Sequence, residues 1–276
     1  MAGGGANPLM NIKSLGAEPV AVSGAGTEPS SEILFRMLDS KKINTSFIVR
    51  DPGYTIPVKV RIMAGSVHTA KQQIVRIDRD SKEPPSERME RSLIKNLAGL
   101  ADTCDAVLVS DYGGGIMTPG VISAVNKIAK AGAKVIVDSR YSLGRYRNIL
   151  TATPNETEAG PQAGIEKYGE EDVKKAGKKL MSMVKSKGMI ITRGSRGMMV
   201  FERGRVRKIP AFGSEKIVDV SGAGDTVSAI TALALACGAS LYDAAYLANI
   251  GAGIAVMKHG VAAVSAGQMK KAARNA

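Results

Sequence analysis

Tryptophan is absent from this 276-residue sequence, and aromatic residues make up only 4% of it. So few stacking platforms speak against single-stranded nucleic acid as the ligand. Histidine occurs twice, at His68 and His259. That is too sparse for a histidine-based zinc site or a Ser-His-Asp triad. The only cysteines, Cys104 and Cys237, each sit in an apolar stretch. They are expected as buried free thiols in a reducing compartment, not as a disulfide framework. No basic-then-apolar leader opens the sequence, and no run of about 18 uninterrupted apolar residues occurs. A cytoplasmic location is therefore expected, without a membrane partner. Internal repeats, low-complexity tracts and long linkers are missing as well.

What is present is ordinary for a folded chain, with 44% hydrophobic and 23% charged residues. The length allows a sizeable core, and a single domain over residues 1–276 is expected. The charge is not ordinary. Thirty-eight basic against 25 acidic residues leave a net +13. Nucleic acid, an anionic membrane surface and phosphorylated small molecules are the partners that such a balance favours. The densest basic piece, Lys174 to Lys187, falls on a predicted helix and reads as a solvated face.

Short β-branched runs alternate with longer helical patterns. Residues 20–23, 106–110, 134–137 and 189–192 read as strands. Residues 30–39 and 170–187 read as helices, the second closed by Gly188. Thr118 and Pro119 open another helix, as N-cap and first residue, which ends near Gly132. Repeated βα units imply a mainly parallel sheet covered by helices. Residues 58–78 differ: VKVRIM and QQIVRID are strand-like runs with no helix between them. They predict a β-ribbon beside the sheet, within a lid insertion over residues 44–80.

The stretch VDVSGAGDTVSAI, residues 218–230, carries the chemistry. Residues 216–220 alternate like a strand, and residues 226–237 read as a buried helix with Gly238 past its end. Gly222, Ala223 and Gly224 then form a strand-to-helix turn whose amides can gather an anion. A third dinucleotide-fingerprint glycine is replaced by Val227, and no Gly-Lys-Ser/Thr follows, so neither a dinucleotide fingerprint nor a Walker loop is present. Asp225 at the mouth of an anion hole is suited to take a proton from a hydroxyl nucleophile while the amides stabilise a phosphoryl group. A plain helix cap is the alternative role.

DVSGAGDT resembles the C-terminal signature of the ribokinase-like (PfkB) carbohydrate kinases. The resemblance implies Asp225 as catalytic base and Gly222, Ala223 and Gly224 as the anion hole. TPNETEA, residues 153–159, is similar to the family's Asn-x-x-Glu motif. This implies that Asn155 and Glu158 place Mg²⁺, through water, and the ATP phosphates; the same spacing is also a capping box. ITRGSRGMMVF resembles the nucleotide-side strand-turn-strand, implying Thr192, Gly194, Ser195 and Gly197 near ATP. Asn249 matches an adenine-side Asn. Asp219, Ser221, Ala255, Gly260 and Ser265 fall near the family's monovalent-cation positions, with K⁺ as the implied ion. GGGANPLMNIKSLGA is similar to the first signature, which nominates Gly4, Gly5 and Asn7 for the sugar; composition alone reads it as a disordered start.

Within the family, QQIVRIDRD, SDYGGGIMTP, GRYRNILTATPNETEA and AVMKHGVAAVS are similar to the heptose-7-phosphate kinases of ADP-heptose synthesis. The resemblance implies a ribokinase-like α/β fold with helices on both faces, and phosphoryl transfer from ATP to a sugar phosphate. Arg140 is suited to the sugar's phosphate, or is a surface arginine. Asp111 is placed for sugar hydroxyls, or forms a turn before Tyr112. Three departures stand out. Gly114 stands where the branch tends to carry Lys. A strand with a sugar-binding Asp, expected ahead of the glycine signature, has no counterpart, so the sheet is expected to be one inner strand short. The nucleotidylyltransferase domain fused in some heptose enzymes also has none. A catalytically degraded binding relative and a nucleic-acid binder are the rival classes. A homodimer through the ribbon is the partner that the resemblance suggests.

Overall fold

The computed structural model describes residues 1–65, 72–81, 84–213 and 217–274. His68, residues 66–71 of the expected ribbon and residues 214–216 lie outside them. The chain starts with helix α1 (Ala6–Ser14), strand β1 (Ser23–Ala25), α2 (Pro29–Ser40) and β2 (Ile48–Arg50). The ribbon follows as β3 (Val58–Ala64) and β4 (Gln72–Arg79), then α3 (Glu87–Leu100). Next come β5 (Val107–Asp111), α4 (Pro119–Ala131), β6 (Val135–Ser139), β7 (Thr151–Ala152), α5 (Glu156–Gln162) and α6 (Glu170–Val184). The remainder is β8 (Gly188–Thr192), β9 (Met198–Glu202), β10 (Arg205–Ile209), α7 (Ala223–Ala236), α8 (Leu241–Val256) and α9 (Ala266–Ala273).

Strands β5, β6 and β7 pair in parallel, and β8, β9 and β10 antiparallel. The two sets are joined where Gly188 N–H donates to the Leu150 carbonyl (3.3 Å) and Thr192 N–H to that of Pro154 (3.0 Å). The Asn155–Thr192 bridge at this junction is parallel, so β5 to β8 run parallel as expected, and β9 and β10 add the antiparallel end. Strands β1 and β2 form a separate parallel pair.

Helices cover both faces because the strands alternate. Val135 and Val137 of β6, Met189 and Ile191 of β8, and Met199 and Phe201 of β9 pack with α4 and α6. Their neighbours Ile190, Met198 and Val200 point the opposite way, toward α7 and α8, and so does Ile136. Period-two burial on both faces is what a central sheet requires.

Several helix signals act as the sequence suggests. Thr118 caps α4 with Pro119 at its first position, and Gly132 ends it at φ 111°. Helix α6 stops earlier than expected, with Lys185 rather than Gly188 in the left-handed cap, and Gly188 already belongs to β8. Residues 217–220, predicted as a strand, have no strand pairing. They are tied instead to the end of α8, where Val218 and Asp219 N–H donate to the Val256 carbonyl. The cysteines depart from expectation too: Cys104 is half-buried and Cys237, capping α7, is exposed. Among the described residues no helix is long and apolar enough to cross a membrane.

Candidate active site

The C-terminal ends of β5, β6, β7 and β8 and the N-terminus of α7 converge on one cleft. Gly222 is the N-cap of α7 at φ 80°, a conformation L side chains rarely adopt. A Cβ there would also stand 2.6 Å from the Asn7 amide. The Ala223 N–H is engaged by the Val220 carbonyl (3.2 Å), within the turn. The Gly224 and Asp225 N–H groups have no partner among the described residues, so they remain for an anion at the positive end of the helix.

Asp225 is 3% exposed. Asn7 Nδ2 donates to one of its oxygens (2.9 Å) and the Tyr112 hydroxyl to the other (2.8 Å). Burial holds its carboxyl above the usual range, against the pull of these two donors. Asn7 belongs to a short ladder: Asn11 Nδ2 donates to its Oδ1, and Asn11 Oδ1 accepts from Val264 N–H. The glycine-rich start is therefore folded, with Gly4 at φ 47° and Gly5 as the α1 N-cap. Composition alone pointed to disorder because a glycine run says nothing about the buried asparagine ladder behind it.

Three more carboxyls surround the cleft. Asp138, on β6, was not singled out from sequence. Burial first, then the charges of Asp225 and Glu158, push its pKa up to about 8. Glu158 is raised by burial, with Arg140 and the Asn155 N–H pulling the other way. Asn155 and Glu158 form a complete capping box on α5: Oδ1 accepts from Glu158 N–H (2.9 Å) and Oε2 from Asn155 N–H (3.0 Å). Asp111 uses three acceptor positions inside the fold, for Gly113 N–H (3.0 Å), Ser139 (2.9 Å) and Tyr146 (2.9 Å). The Gly113 bond makes it a turn former, and the Ser139 and Tyr146 hydroxyls clamp its other oxygen. The Arg140 guanidinium stacks near Tyr141.

Thr192 ends β8 beside Asn155. The turn with Gly194, Ser195 and Gly197 is pinned by Arg193 and Arg196, which both reach Glu156 (3.3 and 2.5 Å). No local pattern in the sequence signals this pair, because the partners lie 37 and 40 residues apart. Asn249, on α8, donates to the Pro210 carbonyl (2.8 Å), so its amide nitrogen is held by the chain. Of the expected cation positions, Asp219 accepts from Ser221 (2.8 Å) and Gly260 (3.0 Å) N–H groups. Burial opposes these bonds, yet the Asp219 carboxyl is held below the usual range. Ser265 instead caps α9 through Gln268, and Ala255 is buried in α8.

The sequence matches the pfkB family of carbohydrate kinases over residues 1–266. It is 38% identical over 266 residues to "Bifunctional protein HldE" of Geobacter metallireducens, covering 95% of this chain and 53% of that protein. The HldE of Desulfatibacillum aliphaticivorans is 35% identical, with 97% and 54% covered. The chain thus spans about half the length of the curated relatives it matches. Among solved structures, phosphofructokinase-2 from Escherichia coli in complex with potassium superposes with a TM-score of 0.84 at 20% identity, covering 99% of this chain and 86% of that one. Arabidopsis thaliana ribokinase complexed with ribose and ATP gives 0.76 at 20% identity, with 97% and 86% covered. These structures share the fold, and the sequence match extends over nearly the whole chain: the protein belongs to the pfkB family of carbohydrate kinases, phosphotransferases with a hydroxyl acceptor.

Proposed function

We propose that this chain transfers the γ-phosphoryl group of ATP to a hydroxyl of a phosphorylated sugar, the anomeric hydroxyl of a heptose 7-phosphate. The observation that carries this reading is Asp225, buried beside two free N–H groups at the start of α7. Asp225 takes the proton of the acceptor hydroxyl. The new O–P bond forms as the bond to the β-phosphate oxygen breaks, and ADP leaves with that electron pair. The Gly224 and Asp225 N–H groups stabilise the charge on the phosphoryl oxygens. ATP lies against the turn with Gly194, Ser195 and Gly197, on the Asn249 side.

Mg²⁺ suits this site, because Asp138 and Glu158 offer hard carboxylate oxygens whose mutual repulsion a cation would offset. Asn155 orients Glu158 through the capping box. When bound, the ion neutralises phosphate charge. Asp219 and the Gly260 loop are the proposed place for K⁺. The ribbon is the proposed dimer contact. Val60 faces Ile77 and Ile62 faces Val75 across it, and all four side chains are 36–49% exposed. A degraded, ATP-binding relative is the second reading, favoured by Gly114 where the resembling branch tends to have Lys.

The test is ADP release from Mg-ATP over a panel of sugar phosphates that includes heptose 7-phosphate. Turnover on one of them should fall about 10²- to 10⁴-fold in Asp225→Asn. If the variant stays within a few-fold of the parent, this mechanism is wrong. ATP binding by calorimetry without turnover on any sugar would support the second reading.

A further inference from the structure

A cavity of about 780 Å³ opens at the far end of the sheet from Asp225. It is bounded by the residues just before β6 and β7, the start of β8, the β9–β10 turn, and Gly238 past the end of α7. Helix α7 has 14 residues, so at 1.5 Å per residue the cavity lies ~20 Å from the catalytic end.

Five cations line it: Lys134, Lys187, Arg203, Arg205 and Arg207. The local sequence explains this concentration. Arg203, Arg205 and Arg207 recur every second residue, which places them on one side of a strand and its turn. Lys187, expected on the solvated face of a helix, stands beyond the end of α6 at Val184 and joins them. One carboxylate, Glu202, lines the same space, and it is bound by Arg207.

Two of the cations are already anchored. The Arg207 guanidinium stacks 3.8 Å from the Tyr242 ring centroid. Lys134 Nζ donates to the Leu235 (3.1 Å) and Ala236 (3.3 Å) carbonyls at the end of α7. The side chains of Lys187, Arg203 and Arg205 have no hydrogen bond or ion pair among the described residues. Like charges gathered around one cavity repel unless an anion lies between them. Leu150, Leu235 and Leu241 add apolar surface to the lining.

We propose that this cavity is a second binding site, for a phosphorylated small molecule with at least two negative charges. Its volume falls within the ~300–1,000 Å³ of small-molecule pockets. Guanidinium forks suit phosphate oxygens, and the three leucines suit a sugar or base. Three of the cations follow one strand and its turn, but Lys134 and Lys187 come from other elements, so the five surround one cavity instead of extending along a nucleic-acid backbone. The site is distinct from the catalytic reading and stands or falls without it.

The probe is pyrophosphate, titrated into the whole chain in 150 mM KCl and followed by amide NMR. Saturable shifts are expected at Gly188, Gly204 and Gly238, separately from any response at Gly222 and Gly224. The double variant Arg203→Ala, Arg205→Ala changes two exposed side chains and should weaken the first response at least about tenfold, leaving the second intact. ADP and a hexose bisphosphate, titrated in parallel, identify the source of the phosphate by which of them binds tighter at these amides. The proposal is overturned if the three amides show no saturable shift, if the double variant binds as the parent does, or if a short nucleic-acid duplex outcompetes pyrophosphate there.

Discussion

Asp225 accepts hydrogen bonds from Asn7 and Tyr112 at its two oxygens, and both donors favour its ionised form. Burial works the other way and wins, holding the carboxyl above the usual range. A base of this kind acts only when ionised, so the acid limb of the kcat/KM profile should lie above the ordinary carboxylate range. Tyr112→Phe removes one of the stabilising donors, and the limb should move to still higher pH. A pH–rate series on parent and variant checks this; coincident acid limbs would show that the Tyr112 contact does not tune the base. Gly114 offers a second test. Unlike Gly113 and Gly115, it has no positive φ, and a Cβ there would meet Pro57 at an ordinary 3.4 Å. Gly114→Lys should therefore fold, and should lower KM several-fold for a phosphorylated sugar while leaving the unphosphorylated sugar unchanged. Equal effects on both sugars would remove any phosphate role for this position.

At the scale of elements, α5 and α7 differ in how their first turns are capped. The Asn155–Glu158 box satisfies the first turn of α5 and leaves Glu158 at the cleft. A helix start is thus legible in TPNETEA, whereas the position of its carboxylate among Asp138 and Asp225 is not. Helix α7 lacks a side-chain cap, which is why its free amides can serve a ligand. The ribbon has an apolar face that finds no cover among the described residues. Val60, Ile62, Val75 and Ile77 lie on that face through the register of β3 and β4. A dimer at micromolar concentration is expected in sedimentation, and Ile62→Lys with Ile77→Lys should reduce it to a monomer. A parent that sediments as a monomer would exclude this contact.

For the whole molecule, the carboxyl cluster links stability to pH. The folded-state pKa of Asp138 is raised to about 8 from an ordinary 3.8. The folded chain therefore holds this proton where the unfolded chain has released it. Stability should fall as pH rises from about 4 to 8, by this group's contribution. Asp138→Asn should remove that slope and raise Tm at pH 8 relative to the parent, as thermal melts across pH 5–8 would show. Parallel slopes in parent and variant would mean that Asp138 is not strained in the fold.

The sequence by itself determined the βα alternation, the ribbon, the caps at Thr118 and Asn155, and the turn before Asp225. Each follows from short-range stereochemistry: a period of two or 3.6, a side chain that reaches an N–H three residues on, a glycine where φ turns positive. Tertiary structure alone decided that Asn7 meets Asp225 across 218 residues, that Arg193 and Arg196 share Glu156, and that Asp138 is crowded by other carboxyls. It also left Cys237 exposed and carried Lys187 off its expected helix to the basic cavity. Such contacts depend on how sheet and helices stack, and no local pattern in the chain encodes that distance.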